Sequence, residues 1–177
     1  MPAPQAAKIK PESSGRQKGN CGESEASRAF KKIVELVSVS DRSEKALRER
    51  LARHGFSDDA VNEAIGRAKA CSFVDDRRFA EVLVRSRVSQ GKGSAGIERE
   101  LSSHGIDPVS VDGWPEQFGI NFDSEVDRAL DMLESRPPRS KNLREGAYRK
   151  LLQKGYPASV CASAARIWFE RQQRQID

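Results

Sequence analysis

Gly55, Gly105 and Gly155 stand fifty residues apart, and each closes the same local pattern. The three stretches read Leu51-Ala-Arg-His-Gly55-Phe56, Leu101-Ser-Ser-His-Gly105-Ile106 and Leu151-Leu-Gln-Lys-Gly155-Tyr156. Glycine has no Cβ and enters the left-handed region freely, so it suits the position just past the last turn of a helix. The apolar residue after it packs back onto that helix in a Schellman ending. One such ending is ordinary. Three in strict register predict one helical unit repeated three times.

The register extends to the rest of each unit. Phe30, Ala80 and Leu130 repeat at the same interval, as do Ile33, Leu83 and Leu133, and Leu47, Ile97 and Ala147. The first two sets are offset by three residues, as one face of a helix requires. Each unit therefore has a first helix, a second helix ending at its glycine, and room for a third. The third is clear from Asp58 to Cys71, with Val61 and Ile65 inward, and from Ala158 to about Arg171. Between them, Asp107-Pro-Val-Ser-Val-Asp-Gly-Trp-Pro115 carries Gly113 and Pro115 where a helix interior belongs. A turn or two and then an irregular connection is expected there.

Ser43, the pair Asp58-Asp59, Asp75-Asp76 and Asp123-Ser124-Glu125 place capping or acidic residues at predicted helix starts. No stretch alternates long enough to argue a strand. The reading is all-α: an elongated array of three tandem three-helix repeats, each too small to bury a core alone and stabilised by stacking. Its boundaries are 25–72, 73–121 and 122–177. Residues 1–24, rich in Pro, Gly, Ser, Gln and Lys, form a disordered tail without an apolar face to dock.

Residues 1–24 lack the apolar stretch of a secretory signal and no run of about eighteen apolar residues occurs, so neither a leader nor a membrane span is expected. Cys21, Cys71 and Cys161 are far apart and lack metal or redox spacing. A cytoplasmic chain with free thiols is expected. The charge is bipolar. Residues 93–135 hold two basic and ten acidic side chains, whereas residues 136–177 hold ten basic and three acidic. Such a pattern suits either solvated helix faces or docking on a partner carrying both signs.

The run Phe73-Val-Asp-Asp-Arg-Arg-Phe-Ala-Glu-Val-Leu-Val-Arg-Ser-Arg87, followed by Gly91-Lys-Gly93, Ile97, Glu100-Leu101 and His104-Gly105-Ile106, resembles the RecX regulatory family. The resemblance covers roughly residues 28–170. It implies tandem three-helix repeats in a curved, elongated protein. It also implies binding to the RecA recombinase filament, with suppression of its ATPase, strand-exchange and co-protease activities, and so an effect on DNA repair and the SOS response. The chain departs from the family pattern at the interrupted third helix and at Pro137-Pro138.

Within this motif Asp75 and Asp76 read as helix caps, and Phe79, Ala80 and Leu83 as core. Arg77, Arg78, Arg85 and Arg87 are either solvated surface or a site recognising phosphate or carboxylate. Arg144, Arg149 and Lys150, on the basic final unit, are a second candidate contact. His54 and His104 share a position with Lys154 at helix C-termini, which favours a dipole role over catalysis or metal binding. Gly91-Lys-Gly-Ser-Ala-Gly96 matches a dinucleotide fingerprint in letters only, since a helix rather than a strand precedes it. It reads as a flexible joint with Lys92 free to reach an anionic partner.

No nucleophile–base set or paired catalytic carboxylates can be nominated, so no enzymatic activity, cofactor or metal is expected. The chain is expected to be a monomer. Direct contact with single-stranded DNA stays open. So do two alternatives: a helix-turn-helix-like DNA binder acting without RecA, and a helical-repeat adaptor for another protein.

Overall fold

The computed structural model describes residues 23–174. These form eight α-helices and two single-turn 3-10 helices, with no strand among the described residues. The first unit contains α1 (Glu25–Val39), α2 (Glu44–Arg53) and α3 (Asp58–Ala70). The second contains α4 (Asp76–Ser89), α5 (Ser94–Ser103) and the short turns Pro108–Ser110 and Glu116–Phe118. The third contains α6 (Phe122–Ser135), α7 (Leu143–Gln153) and α8 (Ala158–Arg174). The expected tail falls almost wholly on residues 1–22, outside the described residues; Ser24 caps α1 by accepting from the Ser27 N–H at 3.1 Å.

Helix starts follow the capping chemistry. Ser43, Ser57, Asp75, Asn121 and Asn142 each accept a backbone N–H from the first turn of the helix they open. Only α5 opens on a glycine, Gly93, with no side-chain cap of its own. The second helices end as their glycines predict. Gly55, Gly105 and Gly155 have φ of +82°, +79° and +87°. Phe56, Ile106 and Tyr156 donate their N–H groups back to Leu51, Leu101 and Leu151 at 3.3, 3.0 and 3.2 Å, the outer bond of a Schellman motif.

Each unit gathers its own cluster of buried side chains within the array. Small residues make this possible. Ala29, Ala64 and Ala68 let α1 and α3 approach, and Ile33, Leu47, Leu51 and Ile65 fill the space between the helices. The third unit repeats this with Ala129, Ala164 and Ala165 around Leu133, Leu151, Tyr156 and Trp168. The second unit lacks a third helix, and Val111 and Ile120 from the irregular segment close its core under half-buried Trp114 and Phe118. Ala80 and Leu83 are buried as expected. Phe79 is only half-buried, with its ring 5.0 Å from that of His104.

Candidate partner-binding surface

The second helices of successive units meet end to end. The Gly93 N–H, at the N-terminus of α5, donates to the Lys154 carbonyl at the C-terminus of α7, at 3.2 Å. The Gly96 N–H donates to the Gly155 carbonyl at 2.8 Å. A Cβ at Gly155 would lie 2.5 Å from the Gly96 Cα, and one at Gly93 would collide with the backbone of Tyr156. The Tyr156 hydroxyl donates to the Gly91 carbonyl at 3.0 Å. This overturns the reading of residues 91–96 as a flexible joint. The glycines are there because two backbones touch.

The missing cap of α5 comes from the next unit. Glu125 on α6 accepts from the Ser94 N–H at 2.7 Å and from the Ser94 hydroxyl at 2.9 Å. Its side chain is buried, and the positive end of α5 stabilises its charge there. Asp76 does the same one unit earlier, accepting from the Glu44 N–H at the start of α2 at 2.8 Å. At this first joint the Lys45 ammonium donates to the Ser103 carbonyl at 3.0 Å, and the Ser43 hydroxyl lies 3.4 Å from His104 Nδ1. Asp75 and Asp76 thus divide the work. Asp75 caps its own helix, and Asp76 caps its neighbour's.

The predicted site residues separate into two groups. Arg77, Arg78 and Arg85 are exposed on α4. Their ion pairs are long: 3.4 Å to Asp112, 3.5 Å to Asp41 and 3.5 Å to Glu81. Arg85 also sits over the Phe118 ring, 6.0 Å from its centroid. Such surface pairs hold weakly and exchange readily for another anion. Arg87 and Lys92 are held instead. Arg87 forks onto Glu100 at 2.6–3.0 Å, and the Lys92 ammonium reaches the same carboxylate at 2.7 Å. Hydrogen bonds from Arg87, then Lys92, outweigh partial burial and hold the Glu100 carboxyl at about 2. Lys92 is therefore not a free arm: it ties the end of α4 to α5.

On the third unit Arg144 is exposed, Arg149 pairs with Glu145, and the Lys150 ammonium donates to the carbonyl of Arg136. The acidic face of α6 is partly answered within the unit, by Arg171 on Glu134 at 2.8 Å. Cys71 is exposed and Cys161 buried, with burial pushing the Cys161 thiol up to about 11. Cys21 lies outside the described residues. Among the described residues, no His, Cys, Asp and Glu cluster has the makings of a metal site. No described helix is long and apolar enough to cross a membrane.

Known proteins share this architecture. The model of the first three-helix domain of RecX matches residues 29–67, and that of the second matches residues 75–112. The regulatory protein RecX of Haemophilus influenzae (strain PittEE) is 34% identical over 132 residues, covering 73% of this chain and 82% of the relative. RecX of Bacillus velezensis is 29% identical over 143 residues, covering 77% of this chain. The match takes in 54% of that relative, so the chain spans about half the length of its Bacillus counterparts. The crystal structure of RecX from Lactobacillus salivarius superposes with a TM-score of 0.66 at 19% identity, over 81% of this chain and 96% of that one. At that identity the likeness speaks to the fold. With the Haemophilus relative matched over most of its length, this chain belongs to the RecX family of regulatory proteins.

Proposed function

We propose that this chain binds the RecA filament assembled on DNA and suppresses its ATPase, strand-exchange and co-protease activities, and so restrains recombinational repair and the SOS response. The observation that carries this reading is the relationship to regulatory RecX proteins across both matched three-helix domains. The contact we assign to Arg77, Arg78 and Arg85, exposed on the motif helix α4 and only loosely paired. A desolvated, charge-assisted bond from each is worth about 1.5–3 kcal/mol of binding. Arg87 and Lys92 support the surface from beneath, because Glu100 already occupies both. Arg144, Arg149 and Lys150 are the second contact.

Binding of the labelled chain to RecA filaments on single-stranded DNA, to free RecA and to bare DNA tests this at several salt concentrations. The expected result is tight binding to the filament, weakened at least tenfold by Arg78→Glu with Arg85→Glu at unchanged melting temperature. Equal binding to bare DNA, with a steep loss on adding salt, would instead support a DNA binder acting without RecA. Binding to neither would leave an adaptor for another protein.

A further inference from the structure

The C-termini of α4, α6 and α7 converge on one cleft of about 490 Å³ beside the joint between the second and third units. Val88 and Met132 supply apolar wall, and Arg128, Arg136, Lys150 and Lys154 bring four cations to it. The cations have an internal task, because each helix end carries about half a negative charge. Three such ends and Asp131 offset some two and a half of the four positive charges, which leaves an excess of about one and a half among the lining residues. Arg128 marks the same imbalance atom by atom. Its Nε and Nη2 are buried without a hydrogen-bond partner, and Nη2 lies 3.8 Å from Glu125, whose oxygens Ser94 already engages. A guanidinium left so is a standing demand for an anion.

We infer that this cleft is a docking site for an acidic segment of a protein partner, receiving one carboxylate side chain flanked by an aliphatic residue. No aromatic ring lines the cleft, so it offers a nucleic-acid base nothing to stack on, whereas Val88 and Met132 suit an aliphatic neighbour. The inference deepens the filament reading by supplying a further anchor, which shares Lys150 with the second contact. It does not depend on the partner being RecA.

The test uses the whole chain and a blocked, fluorescent peptide of alternating leucine and aspartate, with an asparagine version and oligothymidylate as controls. Arg136 and Lys154 are exposed, and their backbone carbonyls hold the internal bonds, so Arg136→Glu with Lys154→Glu changes the rim without cutting the joint. The acidic peptide is expected to shift the amide signals of Gln90, Gly91 and Lys154, to bind at least tenfold more weakly to the double variant, and to bind Arg144→Glu as it binds the parent. Shifts produced by oligothymidylate but not by the peptide would overturn the inference in favour of a nucleic-acid site. Shifts from neither would show that the four cations only neutralise helix ends. A chain that inhibits RecA yet ignores the peptide defeats this proposal alone; one that binds the peptide yet leaves RecA untouched defeats the filament reading alone.

Discussion

The two joints between units use one design at different tightness. In both, the start of a second helix takes a carboxylate from the first helix of the next unit and meets the C-terminus of the next second helix. At the first joint the go-between is a long side chain: Lys45 lies over Gly105, and Asp76, half-exposed, caps α2. At the second joint the backbones themselves touch at Gly93, Gly96 and Gly155, and the capping Glu125 is buried. A flexible side chain can yield by tenths of an ångström, but two backbones cannot. The first joint is therefore built to tolerate change and the second to resist it.

Replacing the two capping carboxylates tests that contrast most strongly. Glu125→Ala leaves both Ser94 donors without an acceptor in a buried joint, removes the carboxylate 3.8 Å from Arg128, and is expected to cost about 3–5 kcal/mol. Asp76→Ala, where water replaces the lost acceptor, is expected to cost about 1 kcal/mol. Equal losses in chemical denaturation would erase the distinction.

The three register glycines sharpen it. All have similar positive φ, so alanine at any of them costs roughly 1–2 kcal/mol from backbone strain. At Gly55 nothing lies within 4 Å of the new Cβ, and strain is the whole effect. At Gly155 the collision with Gly96 adds overpacking, for a total of about 3–4 kcal/mol. Gly105 belongs near Gly55, since Lys45 can move aside. A melting series in which all three alanines fall together would break the account of the second joint.

A smaller effect concerns acid. Glu100 is held at about 2 in the folded chain against an ordinary 4.5. The unfolded chain therefore takes up the proton first. The contribution of this cluster is complete above about pH 5 and disappears as pH falls from 4.5 towards 2. Glu100→Gln is expected to cost about 2 kcal/mol near neutral pH and progressively less in acid, where parent and variant converge. A stability difference that stays constant across that range would show that the Arg87–Glu100–Lys92 cluster is not what ties α4 to α5.

Most of the fold was legible because it is local. Leu51-to-Phe56 and its two counterparts specify a helix, its end and the packing residue after it within six positions. The missing third helix of the second unit was equally plain, since Gly113 and Pro115 both disfavour a helix interior. The joints were not legible, because they are made between residues about thirty to sixty positions apart. Gly93 and Gly96 looked like flexibility; only their contact with Gly155 reveals close approach. Glu125 read as an acidic residue at the start of its own helix, though Gly93, a helix start with no side chain to cap it, was a signal that a cap must arrive from elsewhere. Lys92 misled for a different reason, since Glu100 lies only eight residues on and reaches back to it once α5 has formed. For the candidate surface, sequence supplied the arginines of α4 but could not tell Arg78 and Arg85, loosely paired, from Arg87, already spent.

The central claim is that this chain regulates RecA through its assembled filament, and RecA-dependent ATP hydrolysis on single-stranded DNA tests it most directly. Titrating in the chain is expected to suppress hydrolysis at concentrations below that of RecA, and Arg78→Glu with Arg85→Glu is expected to shift the curve at least tenfold to higher concentration. Hydrolysis that stays unchanged at saturating amounts of the folded parent chain would contradict the account.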